Sequence, residues 1–438
     1  MNNIWTAVVC GFLLLAPGGA FGENWPQWRG PRLNGSTPET GLPASLSLEG
    51  PNTWKTPMPG LGYSTPVVWE DRVFLTSLDA ETGELLAVCV DAGSGEVLWR
   101  KACGEDRKMA GGNNGATPSA VTDGERVHFY FGTGLLVTCD LEGDELWRRD
   151  LEADYGNFVI KFGYSSTPLL YEGRLYIPVL QNETPGRYGR EDDREGPLES
   201  FLLALGPETG ETLWRHVRPT DAEDESREVY ITPMPCEAAG RKEVVLVGGE
   251  CATGHDAATG RELWRWWFQP RDRKVWQRIV TSPVVGHGMI YVTRPRHRPL
   301  FALPAGGEGQ LPEDYPAWQH GEFTPDVTTP LLYRDRIYFM HDGNRTMVCA
   351  DPLTGRVLWQ QRLEGRGPFR ASPTGADGKI YLIDKRGTLI VLAAGDEFRE
   401  LSRLETGEGP CQSTISVSGG RLFIRTAKNL YGVAGGDE

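Results

Sequence analysis
A hydroxyl residue followed by proline returns along this chain at Thr65-Pro66, Thr117-Pro118, Thr167-Pro168, Thr232-Pro233, Ser282-Pro283, Thr329-Pro330 and Ser372-Pro373. Gln412-Ser413-Thr414 occupies an eighth place without the proline. After each comes an apolar run, a short polar turn and a second run rich in aromatic and β-branched residues, as in VVWEDRVFLTS, LLYEGRLYIPV, LLYRDRIYFMH and TGADGKIYLID. The Glu-Asp, Glu-Gly, Arg-Asp and Asp-Gly turns suit tight hairpins. A third run leads into a glycine turn and a tryptophan: Gly95 then Trp99, Gly210 then Trp214, Gly260 then Trp264, Gly355 then Trp359, and a shortened version from Asp140 through Gly143 to Trp147. Aspartate caps such a turn, glycine supplies the positive φ, and tryptophan is large enough to wedge between neighbouring sheets.

Trp54, Trp99, Trp147, Trp214, Trp264, Trp318 and Trp359 stand 41 to 67 residues apart. That is the period of a four-stranded propeller blade. Leu401 takes the next tryptophan place, after which 37 residues remain. These suffice for three strands, while Trp54 lacks the three strands that should precede it. The economical solution is an all-β, eight-bladed β-propeller of four-stranded blades, its ring closed by an N-terminal strand near Trp54 that joins the C-terminal blade and leaves no free edge. The repeat tryptophans are then structural. Composition agrees: 55 glycines and 31 prolines are too many for a helical chain, and 14 tryptophans too many for a disordered one. The polar stretch from Gln181 to Glu199 reads as a surface loop. No excursion is long enough for a second domain, so residues 23–438 form a single propeller.

Residues 1–22 read as a signal peptide. The apolar run from Ile4 to Ala16 is too short to span a bilayer, and Ala20-Phe21-Gly22 offers a cleavage site. No later segment could span a membrane. The mature chain is expected to be exported, periplasmic or extracellular, and monomeric. Its formal net charge of −14 argues against nucleic acid as a partner. Seven cysteines beyond Cys10 show no regular spacing and read as small buried hydrophobes. There is no HExxH, GxSxG or GxxxxGK[ST]. The seven histidines lack i, i+4 pairing, and the basic run Arg294–Pro299 reads as a solvated loop.

At these repeats the chain resembles the pyrroloquinoline-quinone-like (PQQ-like) propeller repeat family, whose mark is a strand followed by Ala-x-Asp-Ala-x-Thr-Gly-x-x-x-Trp. The resemblance covers Trp54 to Val433. The opening Asn24-Trp25-Pro26-Gln27-Trp28-Arg29-Gly30-Pro31 also looks like the start of exported family members. Two branches of the family imply different functions. One holds quinoprotein dehydrogenases, which use PQQ and calcium to oxidise alcohols or sugars. The other holds non-enzymatic propellers such as the scaffold of outer-membrane β-barrel assembly. The adjacent cysteine pair of many alcohol-oxidising members is missing here, and no Glu, Asn and Asp set matches their calcium and base positions.

In a propeller, residues just before the hydroxyl-proline pairs line one mouth of the central channel, joined by the ends of the second strands. The first group contains Asn113, Asn114, Lys161, Tyr164, Tyr230, Arg278, Arg370 and Gln412. The second contains Arg294, His341, Asp342, Lys385, Arg425 and Lys428. Seven of these are Lys or Arg and one is Asp, in an acidic chain. Positive charge gathered in a concave mouth focuses an anion. Asn113, Asn114, Lys161, Arg278, Arg370, Lys385, Arg425 and Lys428 are therefore the candidate ligand-binding residues. No catalytic or metal-ligating set is expected. The expected function is an exported binding or scaffold module of the cell envelope, without a cofactor. Its partner would be an envelope protein, or an anionic small molecule or glycan held in the funnel. The alternative is a PQQ-dependent dehydrogenase with calcium.

Overall fold
The structure, a computed structural model, describes residues 22–268 and 277–435. All but the last residue of the expected signal peptide lies outside the described residues. The strands form eight antiparallel sheets built from residues 67–105, 121–150, 169–217, 234–267, 284–320, 331–362, 374–405 and 416–434, here blades 1 to 8. Thr53–Pro57 completes blade 8 as its outermost strand, with Thr53 opposite Val433 and Pro57 opposite Asn429. The only α-helix among the described residues is Leu151–Tyr155, capped by the Asp150 carboxylate. Burial follows strand position. The second strand of blade 1, Arg72–Leu78, is buried at its five central residues, whereas the outer strand Glu145–Asp150 of blade 2 alternates half-buried and exposed. Inner strands are sandwiched on both faces, so they read as continuous apolar runs.

The hydroxyl repeat has a physical cause. The backbone N–H of Thr65 donates to the Ser119 hydroxyl at 2.9 Å, Ser119 to Thr167 at 3.1 Å, Thr167 to Thr232 at 3.3 Å and Thr232 to Ser282 at 2.9 Å. Ser282 donates to Thr329 at 3.1 Å, Thr329 to Ser372 at 2.9 Å, Ser372 to Thr414 at 3.3 Å, and Thr414 back to Thr65 at 3.2 Å. Eight amides and eight hydroxyls thus make a closed circle around the axis. Each amide at the start of an inner strand lacks a ladder partner and is buried, so it needs this acceptor. The circle corrects one register. In blade 2 the ring hydroxyl is Ser119, not Thr117, whose hydroxyl donates to the Asn114 carbonyl instead.

The tryptophans dock each blade onto the next. Trp54 Nε1 donates to the Ala92 carbonyl, Trp99 to Leu141, Trp147 to Pro207 and Trp318 to Pro352, all at 2.9–3.0 Å. Each indole lies over the glycine of the turn it reaches; a Cβ on Gly95, Gly143, Gly210 or Gly355 would sit 2.5–2.8 Å from the ring. These glycines also have φ between 70° and 95°. Trp264 breaks the pattern. It bonds Glu243 of its own blade, and Gly309–Gln310 adds to that blade as a short parallel fifth strand.

Candidate functional site
The segment before the first blade enters the ring. Trp25 exchanges backbone hydrogen bonds with Val68 of blade 1, and the Thr122 amide of blade 2 donates to Pro26. The Leu170 amide of blade 3 donates to the Gln27 side chain at 3.3 Å. Further along, Asn34 accepts from Leu332 of blade 6, Gly35 accepts from Gly375 of blade 7, and the Glu39 carboxylate accepts from Gly420 of blade 8. Arg29, fully buried, donates to the Pro330 and Pro373 carbonyls at 2.9 and 3.0 Å. Residues 25–39 therefore bridge six blades, meeting the inner strands of blades 1, 2, 3, 6 and 7 and the first turn of blade 8. The burial of Arg29 without a carboxylate lowers its pKa to about 9.

Above this plug lies a cavity of about 300 Å³. Trp28 forms its floor, and the ring residues Thr65, Ser119, Thr167, Thr232, Ser372 and Thr414 form its wall. Tyr63, Asn113, Phe162, Tyr230, Arg278, Val327, Arg370, Lys385 and Gln412 also line it. Four of the eight sequence candidates meet here: Asn113, Arg278, Arg370 and Lys385. Among the described residues no aspartate or glutamate lines the cavity.

The other four lie elsewhere. Asn114 is buried beneath the rim, donating to the Leu61 carbonyl and accepting from the Ala116 amide. Lys161 sits beside the cavity, its ammonium 3.2 Å from Glu225. Arg425 points away from the axis into blade 1, where it donates to the Thr76 and Gly60 carbonyls and the Ser77 hydroxyl. Full burial lowers its pKa to about 10. Lys428 is exposed on the turn before the third strand of blade 8. The basic run is also not a solvated loop throughout: Arg294 is buried beside Gln277. Trp28 carried no repeat signal, because the plug precedes the first repeat.

Charge is unevenly distributed around the rim. On the side of blades 3 to 5, cations have carboxylates. Arg278 lies 3.6 Å from Glu225 and 3.4 Å from Asp326. Tyr230 donates to the buried Glu228, whose carboxyl is pushed up, first by burial. On the side of blade 7, Arg370 and Lys385 have no side-chain hydrogen bond or ion pair among the described residues. Asp384 holds this edge in place. Its Oδ2 accepts the amides of Arg366 and Gly367 at 2.9 and 2.8 Å, and its Oδ1 those of Arg386 and Thr388 at 2.8 and 2.9 Å. The Lys385 amide closes onto the Pro368 carbonyl. Two cations thus face the cavity from a fixed backbone. Such an edge attracts an anion.

A family model described as outer membrane protein assembly factor BamB matches residues 44–184 and 310–435. The chain belongs to this PQQ-like family. Several solved propellers share the fold of this BamB-like chain. BamB from Moraxella catarrhalis superposes with a TM-score of 0.57 at 14% identity, covering 86% of this chain and 100% of that one. Quinohemoprotein alcohol dehydrogenase ADHIIG from Pseudomonas putida HK5 gives 0.65 at 12% identity, covering 95% and 81%. The quinohemoprotein alcohol dehydrogenase from Comamonas testosteroni gives 0.67 at 13% identity, with the same coverage. No curated relative matches this chain in sequence. At these identities the likeness to BamB and to the two alcohol dehydrogenases shows a shared fold alone.

The cofactor of the dehydrogenase branch can be tested against the lining. PQQ is a planar tricarboxylate, and Arg278, Arg370 and Lys385 with Tyr63, Phe162 and Tyr230 suit an anionic ring. Calcium, however, takes hard oxygen ligands that include carboxylates. Among the described residues the lining offers none, and Asp384 has both oxygens committed to backbone amides. The donor set does not fit a quinone–calcium pair.

Proposed function
We propose that this protein is an exported binding module of the cell envelope whose blind funnel holds a small carboxylate-bearing ligand. The observation that carries this reading is the pair Arg370 and Lys385, which among the described residues have no side-chain partner and face a cavity lined by no carboxylate. A volume near 300 Å³ suits a ligand of the size of a sugar acid or a small polycarboxylate. Tyr63, Phe162, Tyr230 and Trp28 supply flat apolar surface for a ring or carbon chain. The ring engages the wall hydroxyls as acceptors, so their O–H groups can still donate to an anion. The kinship with an assembly factor supports a protein partner on the outer surface as well, with the funnel ligand as a separate occupant.

The test is a thermal-shift titration of the mature protein with glucuronate, citrate and PQQ, each with and without calcium. A ligand bound only by the folded state adds about 2.7 kcal/mol of stability at one hundred times its Kd. The melting temperature is expected to rise with at least one of the anions and to be indifferent to calcium. A rise seen with PQQ alone and only with calcium would overturn the reading in favour of the dehydrogenase branch. No rise with any anion would overturn it altogether.

A further inference from the structure
The hydroxyl circle that joins the blades leaves a hydrogen on each oxygen still to give. Thr65, Ser119, Thr167, Thr232, Ser372 and Thr414 belong both to that circle and to the funnel wall. Each oxygen accepts one backbone N–H at 2.9–3.3 Å. An accepting hydroxyl keeps its own O–H as a donor. Among the described residues, none of these six O–H groups has an acceptor. The six residues are only 1–5% exposed, so they are held in place by their surroundings. Six donors therefore border the cavity with nothing of the protein to receive them.

A cation lies one layer below. Arg29 is fully buried and donates to the carbonyls of Pro330 and Pro373, each one residue beyond a hydroxyl of the circle. Its guanidinium carbon stands 5.7 Å from the centre of the Trp28 ring, the floor of the funnel. Among the described residues its Nε has no hydrogen-bond partner, and no carboxylate pairs with it. With a pKa of about 9 it stays charged at neutral pH. Buried charges are ordinarily paired. An anion on the floor would answer this one across a dry, weakly screened gap. A neutral sugar would meet the six donors and leave the cation unanswered. An oxyanion answers both, because it only accepts, and hydrogen bonds to it are stronger than neutral ones.

We propose that the hydroxyl circle seats a second acidic group, so that the funnel ligand is a small diacid, held by the hydroxyls at the floor and by Arg370 and Lys385 at the mouth. The proposal rests on the reading of the funnel as an anion site and narrows its ligand class. The two seats are close enough for one small molecule. Arg370 precedes Ser372 by two residues, so its backbone lies within about 7 Å of the circle. Ser282 and Thr329 complete the circle but stand outside the cavity lining.

Calorimetric titration of the mature protein with the straight-chain diacids from malonate to adipate, and with the monoamide of the tightest, tests this. The monoamide keeps the shape and one charge. It should bind at least about 10-fold more weakly, the loss of one charged hydrogen-bond partner. Ser119→Ala and Ser372→Ala should each weaken the diacid by a similar factor and the monoamide far less. Ser282→Ala removes the same kind of contact outside the cavity and should leave diacid affinity unchanged. That contrast separates a lost ligand donor from a loosened ring, and the comparison of the two ligands needs no variant. Equal affinity for the diacid and its monoamide would overturn the proposal and leave the mouth as a site for a single carboxylate. Undiminished diacid binding in the serine variants that fold would overturn it by placing both carboxylates on the cations. Absence of binding by every diacid would overturn it as well, while binding of glucuronate alone would leave the broader reading standing.

Discussion
Arg370, before the innermost strand of blade 7, and Arg425, at the end of the second strand of blade 8, were both expected at the mouth of the channel. Arg370 faces the cavity, but Arg425 turns into the neighbouring blade to satisfy three oxygens. Spacing reports where a Cα lies along a blade. It does not report which way a long side chain leans, and that is why half of the candidate residues fell outside the cavity. The stacking of His297 on His341, with ring centroids 3.5 Å apart, was illegible for a related reason: its members come from different blades, and local spacing holds no trace of it. Buried histidines also set an acid limit. Burial lowers His128 to about 4 and His255 to about 3. Their folded-state pKa values lie below the unfolded value, so acid favours the unfolded chain. The stabilisation is complete above pH 6.5 and is lost as pH falls toward 4. For His128 the loss is about 3 kcal/mol at its limit. The urea midpoint should fall between pH 7 and pH 4.5, and less so in His128→Asn. A flat profile would contradict this.

At the scale of the strand and turn, the repeat was legible because each position answers a backbone need. A ring hydroxyl satisfies the amide of the preceding blade, and a turn glycine accepts the indole of the preceding blade. The slip at Thr117 occurred because proline is a companion of the ring, not its cause; Ser119 serves with alanine after it. Ser372→Ala should leave the Thr329 amide buried and unpaired, costing about 1–3 kcal/mol. Gly210→Ala should cost more, since the added methyl meets Trp147 at 2.6 Å and φ is 72°. Both losses are measurable as shifts in denaturant midpoint. Gly210→Ala lies far from the funnel and should leave ligand affinity unchanged; an affinity loss there would indicate that the funnel is coupled to blade packing.

At the scale of the whole ring, the plug converts a channel into a pocket. Residues 25–39 bridge blades on both sides of the seam where blade 8 meets blade 1, so they add to the closure made by Thr53–Pro57. Trp28→Ala should remove the floor and weaken any funnel ligand while the ring hydrogen bonds persist. Arg29→Ala should unseat the plug itself, leaving the Pro330 and Pro373 carbonyls without their donor, and lower the melting temperature. The described residues contain no helix long and apolar enough to cross a membrane. Among the described residues, Arg370 and Lys385 are the charged groups of the pocket lining without a side-chain partner. Calorimetric titration of the best anion from the thermal-shift series, into wild type and into the Arg370→Ala, Lys385→Ala double variant, tests this most directly. Saturable one-to-one binding that disappears in the double variant, with its melting temperature unchanged in the absence of ligand, is the predicted result. Equal affinity in the two proteins would contradict it.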